Sequence, residues 1–230
     1  YPAHLLGVAS SALEYGATEA EAIGALLHDA GEDAGGDGRI ADIRQRNARK
    51  LIFIDLNLIS HRGYAKDLFT ALIPLRVQWY GLATVLLADD DELLELARKS
   101  GCKGLLMGLE SISNTNLKAS GKGFNSPDRF ARVVQRLHDH GIALQGCFVF
   151  GLDEDEPDVF LKTAEFAVQA KVDLPRFAVV TPFPNTPLYL RLEAEGRILT
   201  RDWELYDGQH VVFQPKHMSV RELQEGIEAA

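Results

Sequence analysis

Two groups of residues in this 230-residue chain have types and spacing suited to chemistry. The first is "LLHDAGEDAGG", residues 26–36, in which His28 and Asp29 stand about one helical turn ahead of Glu32 and Asp33. His4 lies on a preceding helical stretch. Two imidazoles and a carboxylate suit a borderline divalent ion such as Mn2+, Fe2+ or Zn2+, which acidifies a bound water for phosphoester hydrolysis. Glu32 and Asp33 would orient that water or hold a second charge.

The second group sits where strands are expected to end. Gly108 lets the backbone approach a ligand, and Glu110 can accept hydrogen bonds there from an ammonium or a ribose. Ser111 follows directly. A strand ending "FVFG", Phe148 to Gly151, offers apolar walls and a flat main chain suited to an adenine face. "TPFPNTP", beginning at Thr181 and Pro182, is a rigid turn whose prolines set the chain direction. Each position also has a plainer reading as a cap of the helix that follows, and Phe148 and Phe150 as core residues.

The elements that would position these groups differ in texture. Residues 1–47 read as helical, with Leu5, Val8, Ala9, Leu13 and then Ala22, Ile23, Leu26, Leu27 at three-four spacing. From Lys50 onward, apolar runs alternate with amphipathic ones. Strands are expected at "LIFIDLN" (51–57), "VQWYGLAT" (77–84), "GLLMGLE" (104–110), "IALQGCFVFG" (142–151) and "RFAVVTPF" (176–183). Helical periodicity fills the intervals between them. Such βα repetition predicts an α/β fold, an incomplete (β/α) barrel of about five parallel strands over residues 48–200, with a trailing segment over 201–230. Polar or special residues at the strand ends favour a barrel-like curl, because ligands of α/β barrels gather at that rim.

Composition limits the partners. A net charge of −9 argues against a nucleic-acid groove or an anionic membrane surface, since phosphate binding needs clustered Lys and Arg. No apolar run is long enough to span a bilayer, so a cytoplasmic location is expected. The two cysteines, Cys102 and Cys147, lie far apart among apolar neighbours and read as buried free thiols.

The helical stretch "HLLGVASSALEYGATEAEAIGALLHDAGEDAGG" resembles the start of an HD-type phosphohydrolase, closest to the hydrolase half of the alarmone (guanosine tetraphosphate) synthetase/hydrolase family. That resemblance implies His4, His28 and Asp29 as ligands of Mn2+ or another divalent metal, with Glu32 and Asp33 as catalytic acids. In that family further helices complete the metal site. This chain turns to strands instead, so the stretch reads as a grafted fragment with a seam between Gly38 and Lys50.

Residues 48–230 resemble the radical S-adenosylmethionine (radical SAM) enzymes, in particular the kind that carries an N-terminal cobalamin-binding domain. "LIFIDLNLISHRGYAKDLFTALIPL" looks like the second strand and helix of that barrel, and "GLES", "FVFGLDED" and "TPFPNTPLY" continue it. By this resemblance Gly108, Glu110, Ser111, the strand end from Phe148 to Gly151, and Thr181 with Pro182 would contact S-adenosylmethionine, and the substrate would be a small molecule. The family's [4Fe-4S] cluster is held by three thiolates in a CxxxCxxC loop after the first strand, because such clusters take soft anionic ligands. Two cysteines, neither ahead of the second strand, do not provide that loop. The expectation is a protein of radical SAM lineage that is catalytically incomplete as this chain. The alternatives are a metal-dependent guanosine polyphosphate hydrolase fragment, and a noncatalytic module that binds S-adenosylmethionine or a nucleotide. A barrel without its first strand also leaves the edge of "LIFIDLN" either covered by the N-terminal helices or available for self-association.

Overall fold

The computed structural model describes residues 49–119 and 121–230. His4, His28, Asp29, Glu32 and Asp33, with the metal and the phosphohydrolase reading placed on them, lie outside the described residues. So do the helices expected to cover the first strand.

Five parallel strands form one sheet in the order β1-β2-β3-β4-β5, namely Lys50–Ile52, Gln78–Leu82, Cys102–Glu110, Ala143–Phe150 and Leu174–Val179. Neighbours in sequence are neighbours in the sheet. Helices α1 (Arg62–Leu72), α2 (Asp91–Lys99), α3 (Asn114–Ala119), α4 (Pro127–Asp139) and α5 (Val159–Gln169) lie between successive strands, as parallel pairing requires of its crossovers. Two further helices, α6 (Pro187–Ala194) and α7 (Val220–Ala229), follow β5. The α/β class and the five strands expected from the sequence are the ones observed. Among the described residues no helix is long and apolar enough to cross a membrane.

The first strand is shorter than its apolar run suggests. Only Lys50–Ile52 pair regularly with β2, and the Asn57 side chain accepts from the Ile59 amide at 3.3 Å, folding 56–59 into a turn. Local side-chain bonding of this kind competes with the ladder. The chain still touches β2 twice more, through Phe53 N to Tyr80 O at 2.8 Å and Leu58 N to Leu82 O at 3.0 Å.

The described residues fall into two compact units, 49–107 with 135–145, and 108–134 with 146–230. In the first, Trp79 is fully buried between Phe69, stacked at 5.0 Å, and Phe53, edge-on at 5.5 Å. Helix α1 supplies Ala65, Leu68, Phe69 and Leu72 to this core, a spacing that puts all four on one face. Helix α2 starts at Asp90, whose carboxylate accepts from the Leu93 amide at 3.0 Å, and buries Leu93, Leu94 and Ala97.

In the second unit the core is aromatic. Phe150 packs on Phe160 and Phe177, and around them lie Val179, Leu192, Phe213 and Leu223. Helix α7 is held at its start by a capping box, in which Ser219 and Glu222 each accept from the other's amide. Its Leu223 reaches back to Gly151 at the end of β4, where a Cβ would come within 2.8 Å of Leu223 Cδ2.

Candidate functional site

The strand-end residues singled out by the sequence all lie in the second unit, at the C-terminal ends of β3, β4 and β5. Strand β3 alternates, with Met107 and Leu109 buried and Gly108 and Glu110 on the opposite face. The strand stops at Glu110 because the backbone there turns left-handed, at φ 69°, and the Ser111 amide donates back to Leu109 O at 2.9 Å. This is the positive-φ form of the γ-turn, a rare and strained conformation for a residue with a side chain. It folds the Glu110 carboxylate over Gly108, where any Cβ would collide with it. Lys122 Nζ holds Oε1 from the other side at 3.2 Å, and the glutamate side chain stays 23% exposed.

Two asparagines brace this turn. Asn125, 4% exposed, donates from Nδ2 to Gly108 O at 3.1 Å, while its Oδ1 is buried with no hydrogen-bond partner among the described residues. Ser111 Oγ accepts from the Ser113 amide at 3.0 Å, and Ser113 Oγ from the Asn116 amide at 3.4 Å, which starts α3. Asn116 is buried. Its Nδ2 donates to Asp155 Oδ1 at 2.7 Å, and its Oδ1 accepts from the Glu154 amide at 3.3 Å.

Asp155 belongs to the loop after β4. Its Oδ2 accepts from the amides of Gly151 and Leu152, each at 3.0 Å, and so wraps the chain around Gly151, which has φ 92°. Burial pushes its carboxyl up to about 6, against the opposing pull of the Leu152 and Gly151 amides and the Asn116 side chain. Asp155 occupies the Gly151 N–H, and Leu223 and Phe213 pack against the Gly151 Cα.

Phe148 is fully buried, its ring against Phe166 and Phe177, and is a core residue. Val180 N donates to Phe150 O at 2.9 Å, which continues the pairing of the two strand ends. Thr181 Oγ1 turns back onto Val179 O at 3.2 Å and Pro182 is buried. Cys147, half-buried on β4, has its thiol pushed up by burial, with Arg176 lowering it and Glu110 raising it, which places these three charges and potential charges in one neighbourhood.

Of the residues singled out in the sequence, Gly108, Glu110 and Ser111 lie at the end of β3, Phe148 and Gly151 near the end of β4, and Thr181 with Pro182 after β5; Asn116, Lys122, Asn125 and Asp155, which hold these ends, were not singled out. The missed residues pair with partners up to 39 positions away, as Asn116 does with Asp155.

A metal cluster does not fit the described residues. Among them no group of three or more His, Cys, Asp or Glu side chains is placed to hold a metal ion. Both cysteines are free, and the Cys102 thiol is buried, raised by desolvation, and directed at Gly104 O at 3.9 Å. A [4Fe-4S] cluster requires three thiolates, and this chain has two cysteines, both with thiols raised by burial.

No family model matches the chain. Bacteriochlorophyllide d C-12(1)-methyltransferase of Chlorobaculum tepidum is 35% identical over 175 residues, which are 76% of this chain and 38% of that protein. The chain therefore spans less than two fifths of the length of that relative. Among solved structures, the radical S-adenosylmethionine methyltransferase TsrM from Kitasatospora setae, with cobalamin and a [4Fe-4S] cluster bound, superposes with a TM-score of 0.62 at 15% identity, over 69% of this chain and 31% of that one. The cobalamin-dependent S-adenosylmethionine radical enzyme OxsB superposes at 0.51 and 16% identity, over 84% of this chain and 35% of that one. At such identities the likeness shows the fold.

Proposed function

We propose that this chain, which has the radical S-adenosylmethionine barrel fold, binds S-adenosylmethionine at the rim formed by Gly108, Glu110, Ser111, the Phe148–Gly151 strand end and Thr181 with Pro182. The observation that carries the reading is the strained turn at Glu110. Backbone strain of this kind is kept where a side chain has to be aimed, and what it aims is a partly exposed carboxylate that accepts hydrogen bonds from ribose hydroxyls or an ammonium. Lys122 fixes its direction. At the end of β4 the half-buried side chains of Val149 and Leu152 provide the apolar surface that an adenine ring covers.

The likeness to methyltransferases in both sequence and fold supports a lineage that transfers methyl groups to a small-molecule substrate, with cobalamin and a [4Fe-4S] cluster as cofactors of the complete enzyme. Because two cysteines do not supply the cluster's three thiolates, the activity assigned to this chain alone is binding without cleavage of the ligand.

Calorimetry of the 230-residue chain with S-adenosylmethionine tests this. The parent gives a measurable heat of binding and Glu110→Ala weakens it at least tenfold, the loss of a charged hydrogen-bond partner. Absence of binding to the parent, or equal binding by both proteins, refutes the reading. Formation of 5′-deoxyadenosine by the reduced protein refutes the restriction to binding.

A further inference from the structure

The acidic run after β4 divides its labour. Asp153 pairs with Arg191 at 2.5 Å, Arg197 at 3.1 Å and Lys216 at 3.2 Å, and Glu156 faces His217 at 3.8 Å. Asp155 turns inward, 3% exposed, onto two backbone amides and Asn116, which is itself 2% exposed. A buried carboxylate costs free energy that a neutral cap of the same loop would not. What it supplies in return is short, charge-assisted hydrogen bonds in two directions at once. One direction closes the loop that begins at Gly151. The other reaches Asn116, and from there the Ser113 and Ser111 hydroxyls lead back to the Glu110 turn. Ser111, Ser113, Asn116, Asp155 and Gly151 are thus joined, each to the next, by a hydrogen bond between the end of β3 and the end of β4.

Resting on the reading that this rim binds S-adenosylmethionine, we propose that Asn116 and Asp155 are a positioning pair whose hydrogen bond sets the Glu110–Ser111 segment against the Gly151–Leu152 segment. Neither residue touches the ligand. Asn116 carries the position of the ribose-facing turn, and Asp155 carries that of the adenine-facing loop. If the bond is lost, each segment keeps its own local hydrogen bonds but the spacing between them is no longer held, and a ligand that contacts both binds less well.

The test is an exchange of the two side chains in the full chain. Asn116→Asp and Asp155→Asn are isosteric, so the core keeps its volume while donor and acceptor are mismatched. Each single variant weakens S-adenosylmethionine binding about tenfold, the scale of one charge-assisted hydrogen bond. The double variant N116D/D155N places the carboxylate on α3 and the amide on the loop; it restores the bond with reversed polarity and recovers most of the affinity. Hydrogen exchange without ligand provides the second readout: the amides of residues 111–116 and 151–155 exchange faster in both single variants and return toward the parent in the double. Single variants that bind as the parent does, or a double variant that recovers nothing, overturn the pair. If the parent fails to bind, the ligand reading falls by itself, and unchanged exchange in the single variants overturns the pair whatever the ligand does.

Discussion

The carboxylate of Glu110 lies across the Cα of Gly108, so close that a Cβ at position 108 would stand 3.0 Å from Glu110 Cδ and nearer still to Oε1. The glycine is there to leave room for the glutamate. Gly108→Ala therefore moves a flexible carboxylate and leaves the strand in place. S-adenosylmethionine affinity falls at least tenfold, as in Glu110→Ala, while the urea midpoint shifts by less than about 1 kcal/mol in stability. Equal affinity of Gly108→Ala and the parent, measured by calorimetry, would contradict this packing relationship.

Asp155 makes the fold sensitive to pH. Its carboxyl is raised to about 6 from the ordinary 3.8, chiefly by burial, so the folded protein holds that proton more tightly than the unfolded chain does. Between about pH 4 and pH 6 folding takes up a proton, and the stability contributed by this group decreases as pH rises through that window, by up to about 3 kcal/mol. Asp155→Asn has no such group. Urea unfolding of parent and variant at several pH values should show the parent losing stability relative to the variant between pH 4 and pH 7. Parallel curves would mean that the carboxylate is not desolvated.

The indole of Trp79 donates to Ser100 Oγ at 3.0 Å, both residues being buried, and the Ser100 hydroxyl in turn donates to Ala97 O at 2.8 Å. Ser100→Ala leaves the indole N–H without an acceptor inside the core. Removing one partner of a buried pair costs roughly 1–3 kcal/mol. The loss is read as a lower urea midpoint with an unchanged slope, and Ser100→Thr, which keeps the hydroxyl, recovers part of it. A midpoint unaffected by Ser100→Ala would show that water reaches the indole.

Much of the frame was legible before any coordinates. The runs expected over 77–84, 104–110, 142–151 and 176–183 hold strands that end at Leu82, Glu110, Phe150 and Val179, because each is a short apolar run between turn residues, and α4 followed from the Ser-Pro start at Ser126 and the buried stripe Phe130, Val133, Val134 and Leu137. "LIFIDLN" misled in part. Its apolar composition promised seven strand residues, but Asn57 spends its side chain on a local turn, and three pair regularly.

The sequence by itself determined the succession of strands and helices and the identity of the residues at the strand ends, because hydrophobic period and Gly, Pro and Asp punctuation act over a few neighbouring residues. The tertiary structure alone decided how those ends are held. The Asn125 amide on Gly108 O 17 positions away and the Asn116–Asp155 bond across 39 positions both depend on segments that the fold lays side by side. Hydrogen bonds of that span are set by which backbone a fold brings near, and no periodicity along the chain carries that information.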